Sequence, residues 1–412
     1  MSESREIPKF TVDLSQAPKT RYDHIIPHFK TAVDSCDLPS LFYDLLNELA
    51  GRFAGKILAA VSPLIMRRVH SQEEKAELTG ISKAIDIPMH ILVAFNVLLD
   101  LLLGCTSGGV RTLDPDSGGK ATRMLHFRTL DWGMDQLRQI IVELDFVRTP
   151  GGPVIATTVG YLGYVGVLTG VRQGLSLSLN FRPYHATETL RQRLSYRCNQ
   201  AMVVLGYRKS ISSSLRHILL DDSTIQERQS GEVNEMDNVS PDSQNQYVQK
   251  VLTELSTSNS TAAYLILCQP DRVFVIEKDH RSASIRESDT FLTAYNHDVK
   301  DEDNPAHLQQ AAAELAEGDD AIGMADLVAY SLERKHDLDD LWRKRVRACK
   351  RRYKQRNDVV TSSDVVKFLQ NDMIVNEETH YAVIMDPKEG KVTWRRAYEY
   401  VSESEGWNTE EN

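Results

Sequence analysis

Apolar residues in this chain change their spacing several times, and each change marks an element. Over residues 1–20, Pro8, Phe10, Val12 and Leu14 alternate with polar neighbours, the period of an extended segment. Residues 21–104 then read as helical. Phe42, Leu45, Leu46 and Leu49 recur at helical spacing, and so do Ile57, Val61, Leu64 and Ile65. Ser71-Gln72-Glu73-Glu74 has the form of a capping box ahead of Leu78 and Ile81, and Pro88 separates that helix from one ending at Gly104.

After Cys105 the period returns to two. Leu125 and Phe127 alternate with His126 and Arg128, and residues 140–147, 154–159 and 175–180 read as further strands. Gly160, Gly163, Gly166 and Gly170 mark turns or close backbone approach. Residues 187–220 return to helix, and the polar stretch 221–246 reads as a mobile surface loop. Strands resume at Ala263–Cys268 and Val273–Ile276, joined through Gln269-Pro270-Asp271-Arg272. Residues 305–370 are mostly helical, and 381–394 read as a hairpin. This order fits an α+β layered sandwich better than regular βαβ units, and no internal repeat is evident.

Composition narrows the class. The 412 residues, 41% hydrophobic, are ample for a sizeable core. The net charge of -10 gives no whole-chain sign of nucleic-acid binding. The basic run Arg343 to Arg352 is the exception; a solvated helix, a site arginine and an anionic-surface patch are its three readings. The 5 cysteines are scattered and odd in number, without a Cys/His cluster, so neither a disulfide framework nor a metal site is expected. The N-terminus carries no apolar signal region, which predicts the cytoplasm; a true start further upstream would point to lysosome or vacuole instead. The apolar stretch Ile91 to Leu103 is too short to span a bilayer, and Asn96 and Asp100 interrupt it on one helical face.

Candidate chemistry begins at Gly104-Cys105-Thr106-Ser107. A free cysteine after an apolar helix is ordinarily a small buried hydrophobe. Here Gly104 allows the tight geometry that an N-to-S acyl shift needs, and Thr106 and Ser107 put hydroxyls near the Gly104–Cys105 bond. Arg128 and Asp131 follow on a strand: a cation that favours a thiolate and a carboxylate able to hold an ammonium, or else a surface ion pair.

Phe95-Asn96, Cys105-Thr106-Ser107 and His126-Phe127-Arg128-Thr129-Leu130-Asp131 resemble the maturation and active-site region of the acid ceramidase and N-acylethanolamine acid amidase family. These are N-terminal-nucleophile hydrolases of the choloylglycine hydrolase superfamily. The resemblance runs on through Leu144 to Arg148, Gly163 to Gly170, Gly174 to Asn180 and Tyr295-Asn296-His297-Asp298, and the opening Ile7 to Leu14 is similar too. It implies a four-layer αββα sandwich preceded by a helical segment. The chain would cut itself between Gly104 and Cys105, giving a helical α part, 1–104, and a catalytic β part, 105–412, that stay packed together. Cys105 would be the nucleophile and its freed amine the general base. Asp131 would orient that amine, Arg128 would sit against the thiol, and Asn296 would donate to the oxyanion. Asn180 and Asn96 are candidate polar contacts to substrate, with a strand-end turn as the competing reading of Asn180.

The sequence departs from the family pattern in four ways. Residues 113–120 lengthen the interval after Cys105, as a longer hairpin tip. Phe181 stands where the family has a glutamate. The signal peptide and structural disulfides that the resemblance implies for lysosomal members have no counterpart expected here. The arginine-bearing segment after the oxyanion asparagine has no clear counterpart, and Arg343 or Arg345 is the expected late arginine. The expected activity is hydrolysis of an N-acyl lipid amide such as a ceramide or N-acylethanolamine through a thioester. No cofactor is expected, and transient contact with a membrane surface is. An acyltransferase similar to isopenicillin-N acyltransferase and a non-catalytic lipid-binding relative are the alternatives.

Overall fold

Leu175, Leu177 and Leu179 point to one side of a strand, and Ser176, Ser178 and Asn180 to the other. Both sides are buried. An alternating strand with two buried faces needs a layer on each side, and the computed structural model supplies them. It describes residues 4–98, 104–117, 121–183, 189–221, 241–302, 320–355 and 357–399.

The strands are β1 (Ser4–Arg5), β2 (Lys9–Asp13), β3 (Gly104–Leu113), β4 (Thr122–Asp131), β5 (Ile141–Val147), β6 (Val154–Tyr161) and β7 (Thr169–Arg172). They continue as β8 (Leu175–Phe181), β9 (Ala263–Cys268), β10 (Val273–Lys278), β11 (Ala283–Ser288), β12 (Phe291–Ala294), β13 (Thr379–Asp386) and β14 (Lys391–Tyr398). The helices are α1 (Lys30–Cys36), α2 (Leu38–Ile65), α3 (Gln72–Ile85), α4 (Met89–Leu98) and α5 (Leu190–Val204). After them come α6 (Ile211–Leu220), α7 (Pro241–Thr257), α8 (Asp320–Tyr353) and α9 (Ser362–Phe368).

A 6-stranded sheet, ordered β1-β14-β13-β4-β3-β12, stacks on an 8-stranded sheet, ordered β11-β10-β9-β8-β7-β6-β5-β2. Between them lies a layer with a polar centre, where His126 of β4 meets Ser176 and Ser178 of β8 at 3.0 and 2.9 Å. The sheets come close there because Gly109 has no side chain; a Cβ on it would fall 2.5 Å from the Val273 Cβ. Helices α8 and α9 cover the outer face of the first sheet, with Leu338, Val346, Val365 and Phe368 packed on Phe127 and Ile384. Helices α6 and α7 and the N-terminal helices cover the second, and the order of layers is α, β, β, α.

The N-terminal segment is woven into this stack. β1 pairs with β14 in one sheet, and β2 pairs in parallel with β5 in the other. Glu77 of α3 is fully buried between Arg21 (2.8 Å) and Arg216 of α6 (2.7 Å), so a charge network joins α3 to the body that follows Cys105. Ser71 caps α3 by accepting the Glu74 N–H at 3.3 Å. The Glu74 side chain leaves the expected capping box and accepts from Ser213 at 2.8 Å instead.

The structure differs from sequence expectation at several elements. Gly104 opens β3 opposite Asp131; residues 99–103, Asp100 included, lie outside the described set. Of the expected loop 221–246, residues 241–246 form the first turns of α7, and 222–240 lie outside the described residues. Strands β7, β11 and β12 are short or polar and lack a readable period; pairing with their neighbours defines them.

Replacing Glu77 by Gln leaves the buried Arg216 guanidinium without its carboxylate and Arg21 with Glu73 alone. A loss of about 3–5 kcal/mol in unfolding free energy is expected. Urea denaturation checks it, and a loss under ~1 kcal/mol would show that the network does not hold the two parts together.

Candidate active site

The register of β3 on β4 sets the geometry. Gly104 lies opposite Asp131, Cys105 opposite Leu130 and Ser107 opposite Arg128. Because side chains alternate, Cys105 and Arg128 leave the same face as diagonal neighbours and enter the layer between the sheets. Asp131 leaves the other face, toward α8.

Arg128 is fully buried. Its Nη2 donates to Cys105 Sγ at 3.0 Å, and its Nη1 donates to the Thr169 hydroxyl at 2.8 Å and to the Leu168 carbonyl. Burial pushes the Cys105 thiol above its ordinary range, and Arg128 pulls against that rise. His126, two residues before Arg128, is held down to about 3 by burial and by that same cation, so it is a neutral bridge between the sheets.

On the other face Asp131 accepts from the Thr379 hydroxyl at 2.7 Å and pairs with Arg334 of α8. Burial raises its carboxyl, opposed by Arg334 and Thr379. Arg334 also reaches Asn296 Oδ1 at 3.4 Å. That oxygen accepts the Cys105 backbone N–H at 2.9 Å, while Asn296 Nδ2 donates to the Phe181 carbonyl at 2.8 Å. Two donors on one side and a carbonyl on the other fix which end of the amide is oxygen. Asn296 thus turns its acceptor to Cys105, and its Nδ2, which carries two N–H donors, gives one to the backbone of β8.

The remaining candidates separate. Asn180 sits inside β8, not at a turn. Its Oδ1 accepts from Ser107 at 2.8 Å, and its Nδ2 donates to the Ala294 carbonyl at 3.1 Å and reaches the Cys105 carbonyl at 3.5 Å. Asn96 spends its capacity on the protein's own backbone. It donates to the Leu92 and Gly163 carbonyls and accepts the Val165 N–H, each at 2.8 Å, fastening the turn at Gly163 (φ +83°) to α4. Arg343 does not join the group. It is 56% exposed and lies 3.7 Å from Asp340 and 3.9 Å from Asp339. Arg345 pairs with Asp364 at 3.6 Å. The reason is helical phase: Arg343 follows Arg334 by about two and a half turns and leaves the opposite side of α8. The arginine that reaches the site is Arg334. Its signal in the sequence is a cation on the face shared by Val328, Ser331 and Leu338, all fully buried. Among the described residues no group of three His, Cys, Asp or Glu side chains could hold a metal ion, and no helix is long and apolar enough to cross a membrane.

A cysteine at the head of an inner strand has its thiol and its backbone nitrogen held by separate partners, inside the αββα layers that the resemblance implies. Residues 5–70 match the family model described as the beta subunit of N-acylethanolamine-hydrolyzing acid amidase. Acid ceramidase of Pan troglodytes is 28% identical over 196 residues, 43% of this chain and 46% of its own. The acid ceramidases of Homo sapiens and Bos taurus are 27% and 29% identical with the same coverage. The chain thus spans about half the length of the curated relatives it matches. A solved Caenorhabditis elegans N-acylethanolamine-hydrolyzing acid amidase ortholog aligns with a TM-score of 0.43 and 20% identity over 69% of this chain and 93% of its own. Over these stretches the chain is similar to acid ceramidases and, at residues 5–70, to the beta subunit of N-acylethanolamine-hydrolyzing acid amidase.

With its thiol raised by burial, Cys105 of the uncut chain holds little thiolate at pH 7, and the fraction grows only above the ordinary thiol range. Iodoacetamide at neutral pH is expected to label exposed Cys198 at least ~tenfold faster than Cys105, by peptide mass spectrometry. Fast neutral labelling of Cys105 would mean that Arg128 outweighs burial.

Proposed function

We propose that the protein is a self-processing cysteine amidase that hydrolyses the amide bond of N-acyl lipids, of the ceramide or N-acylethanolamine type. The observation that carries this reading is the double hold on Cys105: thiol on Arg128 at 3.0 Å, nitrogen on Asn296 at 2.9 Å.

In maturation, Cys105 Sγ attacks the Gly104 carbonyl carbon. The C–N bond breaks, the sulfur carries the Gly104 acyl group, and the nitrogen becomes an α-amine. Water then hydrolyses the thioester, leaving a Gly104 carboxylate and a free thiol. The freed amine has an ordinary pKa near ~8, suited to general-base work. Asn296 Oδ1, already beside that nitrogen, becomes its acceptor, and Asp131 and Arg334 fix Asn296 and the local charge from behind.

In turnover the amine takes the thiol proton, and the sulfur attacks the substrate carbonyl. The ammonium then protonates the leaving amine, and a thioester remains. Water, deprotonated by the same amine, releases the fatty acid. Arg128 stabilises the thiolate at each return. Asn180 Nδ2, 3.5 Å from the Cys105 carbonyl, is the nearest side-chain amide donor on the strand facing the nucleophile. The 1–104 part keeps its place after cutting because β1 and β2 are edge strands of the two sheets and Glu77 is locked to Arg216.

Intact mass of the purified chain after incubation from acidic to neutral pH tests the reading. Wild type is expected to give two fragments split between Gly104 and Cys105 that co-elute without denaturant, while Cys105→Ala stays whole. Processed protein releases the fluorophore from an N-acyl amide. A chain that never cuts and never hydrolyses sinks the proposal, and transfer of the acyl group to an added amine in place of water would favour an acyltransferase. Arg334→Ala is expected to lower kcat/KM at least ~100-fold, the scale of losing one preorganised electrostatic partner, and Arg343→Ala to leave it within ~twofold.

A further inference from the structure

Asn296 is held by α8 at two atoms. Arg334 reaches its side-chain oxygen, and Ser331, one turn earlier on the same helical face, accepts its backbone N–H at 2.8 Å. Ser331 is fully buried, and its hydroxyl has a second neighbour, Nδ1 of the buried His297, at 2.7 Å. The far nitrogen of His297 lies 3.3 Å from Glu302, and Glu302 is bridged to Lys335 of α8 at 3.1 Å. Nothing in the proposed chemistry uses these groups.

The direction of the hydrogen bonds follows from what each group can do. A backbone N–H only donates, so Ser331 Oγ accepts from Asn296. A carboxylate only accepts, so the His297 nitrogen facing Glu302 carries a proton. In the neutral ring the other nitrogen is then bare and takes the Ser331 proton. With the ring neutral the bonds run one way: Asn296 N–H to Ser331, Ser331 to His297, His297 to Glu302, with Lys335 closing the end. Bonds aligned in this sense strengthen one another in a buried site. The stacked Tyr295 ring, 5.8 Å from His297 and tilted by 2°, fixes the imidazole plane.

We infer that Ser331 and His297 are positioning residues: they hold the Asn296 backbone so that its side-chain oxygen stays on the nitrogen of Cys105. This rests on the proposed amidase reading and deepens it. A shift of about 1 Å at a catalytic group can cost on the order of 100-fold in rate. Loss of the Ser331 hydroxyl releases the main-chain end of Asn296 while Arg334 still grips the other end.

The test measures self-cleavage rate, kcat and KM for wild type, Ser331→Ala, Ser331→Thr, His297→Ala and His297→Asn, each normalised to titrated, processed sites. Ser331→Ala and His297→Ala are expected to lose ~10–100-fold in kcat with KM within ~twofold. Asn places an amide where Nδ1 stood, so His297→Asn is expected to recover most of the loss, and a hydroxyl that fits does the same in Ser331→Thr. Unchanged kcat per processed site in both alanine variants, with only a lower melting temperature, overturns the inference. So does a loss confined to KM. Wild type is assayed first: if it neither cuts nor hydrolyses, the amidase reading has failed, whereas a working wild type with indifferent variants sinks only the positioning role.

Discussion

A guanidinium with no access to water dictates the centre of this molecule. Arg128 is fully buried between two sheets, and a buried cation is tolerated only where hydrogen-bond acceptors and polarizable partners surround it. The partners come from distant parts of the chain: the Cys105 thiol from β3, the Leu168 carbonyl and the Thr169 hydroxyl from the start of β7. Tyr381 of β13 supports Thr169 at 3.0 Å. The Cys105 contact needs β3 in register on β4, and the Leu168 and Thr169 contacts need the second sheet stacked in place, so the requirement to solvate one charge fixes the relative placement of β3, β4, β7 and β13. Among these partners the Cys105 thiol is the one that can ionise, and a fixed cation favours its thiolate against the rise that burial imposes.

The second charge, on Asp131, is solved on the opposite face of the same strand. Alternation puts Arg128 inside and Asp131 outside, and α8 must lie over β4 to bring Arg334 to the carboxylate. The site is therefore a section through the stack. The thiol partner is in the inter-sheet layer, the carboxylate and its arginine lie under the outer helix, and Asn296 joins the two by accepting from Cys105 and from Arg334.

The N-terminal segment reads as a helical leader ahead of a catalytic body, yet it behaves as part of that body. Its two strands complete one sheet each, and its helices share a core with β5, β6 and β8. Leu92 of α4 and Leu177 of β8 belong to one apolar cluster. A cut at residue 104 would remove a covalent bond without removing that burial, since the hydrophobic contribution depends on area withheld from water and not on chain continuity.

Local chemistry was legible along the chain. The period of two at 125–128 and 175–180, the serine cap at 71 and the C-terminal hairpin are decided by neighbours within a few residues, and so is the presence of Cys105, Arg128 and Asp131 at the ends of paired strands. What the tertiary structure alone decided is phase and pairing. The serine face of β8 reads like a solvated face but is buried, because its partner is the imidazole of His126 on another sheet. The late arginine is Arg334 and not Arg343, because one continuous helix turns the second to solvent. The Asn296 amide presents oxygen to Cys105, because Phe181 offers a carbonyl to its other end. Such choices depend on groups far apart in sequence, whose competition for a limited set of donors and acceptors is settled only when the layers close.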